Sequence, residues 1–136
     1  MQMQVIYDSN HGRTKTVTQG FMCEVKHVSE ARIWADVVVF ICPTYGDEEL
    51  PHDMEDFLTN IKLENKSYVI CETGNYFGYE DFQFGPAKII EGYLKKLNWK
   101  KFYHTFSLDS LPLIDWETFY DWKKGLENEL HQANIV

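Results

Sequence analysis

The run Val37-Val38-Val39-Phe40-Ile41-Cys42 is apolar at every position. Successive side chains of a strand point to opposite faces, so a strand with one wet face alternates apolar and polar residues. Six apolar residues in a row therefore predict a strand covered on both sides, as at the centre of a parallel sheet. Such a sheet needs helices over each of its faces.

The rest of the chain supplies them. Strand-like runs fall at 3–8, 23–28, 36–42, 67–72 and 102–108. Helical patterns lie between them. Pro51 suits a first helical turn, and Met54, Phe57, Leu58 and Ile61 follow on one stripe. Residues 86–97 carry Ile90, Leu94 and Leu97 on one stripe, with Ile89 and Tyr93 beside it. A last helix over 115–131 opens at Asp115, a good N-cap, and buries Phe119, Trp122, Leu126 and Leu130. Five strands alternating with helices predict an α/β fold: an open parallel five-stranded sheet of order 2-1-3-4-5 with helices on both faces. With no linker, repeat or low-complexity stretch, residues 1–136 form a single domain.

One connection is short. Eight residues, Ser29 to Asp36, lead from the second strand to the third. In order 2-1-3-4-5 they must cross the first strand, a path of roughly 20 Å. Eight extended residues reach at most about 29 Å, which leaves no room for a full helix. The second crossover helix is expected to be reduced or missing.

The net charge of −8 argues against nucleic acid and against anionic membranes, and favours a small ligand or a protein with a basic face. Cys23, Cys42 and Cys71 are an odd number without a CxxC pair, a poor disulfide framework and a poor zinc site. They read as reduced thiols of a cytoplasmic protein, with Cys42 and Cys71 acting as small buried hydrophobes. His11, His27, His52, His104 and His131 show no metal-ligand spacing, and no metal is expected. No cleavable signal and no membrane-spanning run is evident.

In a doubly wound sheet, ligands bind beyond the carboxyl ends of the strands where strand order reverses, here between the first and third strands. Three loops surround that point. Ser9-Asn10-His11-Gly12-Arg13-Thr14 follows the first strand; its hydroxyls and backbone N–H groups could surround a phosphate, with Gly12 permitting close approach. It has neither the Walker nor the GxGxxG pattern. Pro43-Thr44-Tyr45-Gly46-Asp47 follows the third strand and could set Tyr45 against a planar ring. Thr73-Gly74-Asn75-Tyr76-Phe77-Gly78-Tyr79 follows the fourth and could cover the ring's other face. Taken singly, each reads more readily as an ordinary turn or surface loop. Taken together, they describe a phosphate pocket and two walls for a flat heterocycle, the shape of a flavin mononucleotide (FMN) site.

These residues resemble the flavodoxin family. Ser9-Asn10-His11-Gly12-Arg13-Thr14 is similar to its phosphate loop, Ser/Thr-x-Thr-Gly-x-Thr, with His11 standing where Thr is usual. Residues 43–58 (PTYGDEELPHDMEDFL) are similar to the loop whose aromatic stacks on the flavin and whose Gly-Asp meets its N5 edge. Residues 72–98 are similar to the second flavin loop and its helix, and 107–122 to the last strand-to-helix passage. The resemblance implies an FMN-binding electron carrier rather than an enzyme, exchanging electrons with a reductase and an acceptor, monomeric, and with no catalytic side chain. The compact length, "YDSNHGRTKTVTQGF" and "TGNYFG" also resemble the flavodoxin-like activator of class Ib, manganese-dependent ribonucleotide reductase. Against that alternative stands an acidic cluster, Asp47, Glu48, Glu49, Asp53, Glu55 and Asp56 with Glu80 and Asp81, which suits a carrier meeting basic partners. A scaffold of this fold without flavin is a further alternative. A response-regulator receiver is not, because Cys42-Pro43-Thr44 stands where its phospho-acceptor Asp belongs.

Overall fold

A computed structural model describes residues 1–9, 13–43, 50–74, 85–109 and 114–135. The elements in chain order are β1 (Met3–Tyr7), α1 (Arg13–Thr18), β2 (Glu24–His27), β3 (Val37–Pro43), α2 (His52–Thr59), β4 (Ser67–Gly74), α3 (Gly85–Lys95), β5 (Lys100–Lys101), β6 (Phe106–Asp109) and α4 (Trp116–Ile135). Every strand pairing is parallel, and the order is β2-β1-β3-β4-β5, with β6 also against β4. All seven residues of β3 are buried, as its apolar run requires.

The side chains of β3 divide by parity into two cores. Val38, Phe40 and Cys42 pack with Ile6, Ile70, Met54 and Leu58 of α2, and Ile90 and Leu94 of α3. Val37, Val39 and Ile41 pack with Val5, Cys71, Val17 of α1, and Phe119, Trp122 and Leu126 of α4. Cys42 thus lies in one core and Cys71 in the other. Burial, and then the nearby carboxylates Asp8 and Glu72, push the Cys42 thiol well above its usual range. Burial does the same to Cys71. The half-buried Cys23 is pushed up to about 11, chiefly by burial and next by Glu127.

The helices end on recognisable caps. Pro51 occupies the N-cap of α2 rather than its first turn, and its carbonyl accepts from Glu55 N–H at 3.0 Å. Asp115 caps α4 as expected, Oδ1 accepting from Thr118 N–H at 3.3 Å. Asn98, with φ 59°, turns the chain out of α3 toward β5.

The crossover over residues 28–36 contains no helix. Ala31 and Ile33 cover the first core instead, and Gln4 holds the segment in place. Gln4 sits inside β1, directly beneath the crossing, and is only 1% exposed. Its Nε2 donates to Arg32 O at 2.8 Å. Its Oε1 accepts from Trp34 N–H at 2.8 Å and Ala35 N–H at 3.0 Å. Lys66 adds a bond from Nζ to Ala35 O at 2.9 Å. An irregular segment laid over a sheet brings backbone polar groups out of water, and each needs a partner. One side-chain amide supplies both the donor and the acceptors that a helix would have found within itself.

The fifth strand differs from the continuous run expected at 102–108. It is split into β5 and β6, both against β4. Between the paired positions Tyr68↔Lys101 and Cys71↔Phe106, β4 advances three residues and its partner five, so two residues bulge out. Trp122 explains the departure, because its indole Nε1 donates to His104 O at 3.0 Å and draws the bulge onto α4. Tyr103 also lies against Gly125 of α4, where a Cβ would collide with its hydroxyl.

Two outcomes follow. Gln4→Leu leaves three crossover backbone groups without their partner and should lower stability by about 2–4 kcal/mol, read from urea unfolding. In native protein at pH 8, a thiol reagent should modify Cys42 and Cys71 only as the protein unfolds, with Cys23 reacting first.

Candidate functional site

The carboxyl edge of the sheet is aligned across its central strands. Tyr7 of β1 pairs with Ile41 of β3, and Pro43 of β3 pairs with Thr73 of β4. The chain leaves β1 outward toward β2 and leaves β3 in the opposite direction toward β4, so strand order reverses between β1 and β3. The helices that follow them pack on opposite faces, α1 with α4 and α2 with α3. In sheets of this topology ligands bind beyond the carboxyl ends of the strands at such a reversal, here beyond β1 and β3.

Of the expected site residues, Ser9 continues from β1, and its hydroxyl accepts from Lys15 N–H at 3.3 Å, capping the six-residue α1. Arg13 and Thr14 are the first two residues of α1. Pro43 is buried at the end of β3, Thr73 is buried near the end of β4, and Gly74 closes that strand. The described parts of all three loops therefore emerge from neighbouring strands on one edge. Asn10, His11 and Gly12, Thr44 to Asp47, and Asn75 to Tyr79 lie outside the described residues, as do Glu48, Glu49, Glu80 and Asp81 of the acidic rim. The remaining acidic residues, Asp53, Glu55 and Asp56, are exposed on α2.

The structure adds polar residues that the loop motifs did not signal. Asp8, Cys42 and Glu72 follow one another across the ends of β1, β3 and β4. Asp8 N–H donates to Ile41 O at 3.0 Å, and Cys42 pairs with Glu72 in register. Both carboxylates are buried. Glu72 Oε2 accepts from Ala87 N–H in the first turn of α3 at 3.1 Å, and Oε1 accepts from Ser107 Oγ at 2.8 Å. The end of β4 is thereby tied to the first turn of α3 and to β6. The site of Glu72 is dictated by its strand: it takes the even-numbered face of Tyr68 and Ile70, at the point where that face meets the N-terminus of α3. A carboxylate there is favoured by the helix dipole.

Asp8 Oδ1 accepts from Ser9 N–H at 2.8 Å and lies 3.3 Å from His27 Nε2, at the end of β2. His27 Nδ1 accepts from Ser29 N–H at 3.1 Å, and its ring meets Tyr7 edge-on at 5.4 Å. The carboxyl edge of the sheet on the α2 side thus carries two buried carboxylates, one supported by an imidazole and the other by a helix N-terminus and a hydroxyl.

No family model matches the sequence, and no curated protein matches it. Solved structures do match the fold. A flavodoxin of Streptococcus pneumoniae TIGR4 superimposes with a TM-score of 0.73 at 21% identity, over 96% of this chain and 98% of that one. A short-chain flavodoxin associated with a non-canonical PDU bacterial microcompartment gives 0.73 at 18% identity, over 98% and 99%. Oxidised Flavodoxin 2 from Bacillus cereus gives 0.72 at 20% identity, over 97% and 99%. These likenesses span nearly the whole of each chain, and the protein has the flavodoxin-like α/β fold.

Proposed function

We propose that the chain binds one FMN in the crevice between β1 and β3 and carries electrons between a reductase and acceptor redox proteins. The observation that supports this reading most strongly is the alignment of the three loop origins. Ser9, Pro43 and Gly74 leave adjacent strands on the carboxyl edge, at the point of strand-order reversal. The donor chemistry fits the group: a serine hydroxyl at the entrance to α1, followed in sequence by a glycine and Arg13-Thr14, suits a phosphate. The aromatic residues Tyr45, Tyr76, Phe77 and Tyr79 of the other two loops suit a planar ring.

FMN, when bound, supplies reversible acceptance of electrons, and the protein's part is to hold and bias it. Ser9 to Thr14 would hold the phosphate. Pro43 to Asp47 and Thr73 to Tyr79 would form the walls. Glu72 fixes the base of the second wall through Ala87 and Ser107. Asp8 and Glu72 keep buried carboxylates beneath the crevice, and Coulomb repulsion from them disfavours added negative charge there. Asp53, Glu55 and Asp56 are exposed on α2 and, with the acidic residues of the neighbouring loops, suit partners with basic faces.

Two measurements test this reading. Titrating FMN with the purified protein should quench flavin fluorescence at one equivalent, and Gly12→Val should weaken binding at least about tenfold, or 1.4 kcal/mol. Unchanged affinity in that variant counts against the phosphate loop. Glu72→Gln keeps a group that can accept from Ala87 N–H and donate to Ser107, but removes the charge. It should raise the flavin midpoint potential by on the order of tens of millivolts.

A further inference from the structure

We infer that Asp8, His27 and Asp53 form a binding site for a single divalent transition cation beside the candidate phosphate loop. The three residues come from three separate elements: the end of β1, the end of β2 and the first turn of α2. One ligand atom from each lies within 4.8 Å of the other two. Burial is graded across the set, with Asp8 buried, His27 half-buried and Asp53 exposed, so the site has a fixed floor and an open side.

The second observation is the state of Asp8. Its side chain is only 8% exposed. Oδ1 takes two donors among the described residues, Ser9 N–H and His27 Nε2. Oδ2 is buried and has no hydrogen-bond partner among the described residues. A buried carboxylate oxygen without a donor is costly, and a cation chelated by both oxygens of Asp8 satisfies it. This carboxylate lies on the even-numbered face of β1, with Gln4 and Ile6, the face on which α2 and therefore Asp53 pack.

The geometry is close to what a cation needs. Ligand atoms about 2.1 Å from an ion stand about 3.0–3.4 Å apart in octahedral or tetrahedral arrangements. Asp8 Oδ1 and His27 Nε2 already stand 3.3 Å apart. Asp53 is exposed and free to close the remaining distance by a rotamer change. Binding at Nε2 replaces the proton His27 directs at Asp8, and the ring's proton then resides on Nδ1, which gives up its contact with Ser29 N–H and donates to Ser29 Oγ, 2.9 Å away. A partner at Nδ1 fixes the orientation of a metal-bound imidazole. One imidazole with two carboxylates suits Mn²⁺, Fe²⁺ or Zn²⁺ better than Ca²⁺ or Mg²⁺. All three ligands are described residues, and the site is independent of FMN binding.

The test is a titration of the chelator-treated full chain with Mn²⁺, following the free-ion EPR signal, then displacement by Zn²⁺. The expected result is one equivalent of Mn²⁺ bound, released by one equivalent of Zn²⁺. Asp53→Asn and His27→Gln should each weaken binding at least tenfold, while Glu55→Gln, an exposed acid in the same helical turn, should leave it unchanged. Asp53 and Glu55 are exposed, so their variants fold. No saturable binding below millimolar concentrations, or equal binding in Asp53→Asn and the parent, overturns the inference. Loss in Glu55→Gln equal to that in Asp53→Asn also overturns it, since general acidity would then be the cause.

Discussion

Gln4 is the contact on which the two-sided sheet depends. A strand buried on both faces, as β3 is, demands cover above and below, and the chain spends only residues 28–36 crossing β1 on one of those sides. Without a helix the crossover cannot satisfy its own backbone. The Gln4 amide does so for Arg32, Trp34 and Ala35, from a position a hydrophobic residue would otherwise take. Ala31, Ile33 and Val28 can then close the core over Ile6 and Phe40. With the crossing fixed, β1 is held between β2 and β3, and the reversal of strand order that opens the crevice is fixed with it.

The crevice inherits its electrostatics from the same parity. Positions 4 and 6 of β1 share one face, and Asp8 follows just beyond the strand. Position 72 of β4 repeats the arrangement across Cys42. Each acid is supported differently: Asp8 by Ser9 N–H and the His27 imidazole, Glu72 by Ala87 N–H and Ser107. Glu72 joins the end of β4 to α3 and β6 through two bonds of one buried side chain.

Much of this was legible in the sequence, for identifiable reasons. The uninterrupted apolar run of β3 and the stripes of Met54–Leu58 and Ile90–Leu94 report burial directly, because period and burial are linked. The missing second helix followed from chain length alone, and the cap at Asp115 from residue chemistry, while Pro51 falls one position earlier than the first turn it was expected to occupy. The split of β5 from β6 was hidden, because it depends on an indole eighteen residues away, Trp122, reaching back to the carbonyl of His104. Gln4 and Glu72 looked like ordinary polar positions in strands; their partners lie 28–31 and 15–35 residues distant. The association of Asp8, His27 and Asp53 was invisible for the same reason: no spacing rule links residues that three different elements bring together. The loop motifs at 9–14, 43–47 and 73–79 were readable as residue types, and the structure adds that their described ends share one edge.

A reductive titration followed by absorption spectroscopy separates a flavin carrier from a bare scaffold of the same fold. Protein purified with excess FMN and freed of unbound cofactor should be yellow and carry one flavin per chain. It should bleach on stepwise anaerobic addition of dithionite and regain its spectrum on reoxidation. A colourless protein whose spectrum is the same before and after exposure to FMN would contradict the assignment of the β1–β3 crevice to a flavin.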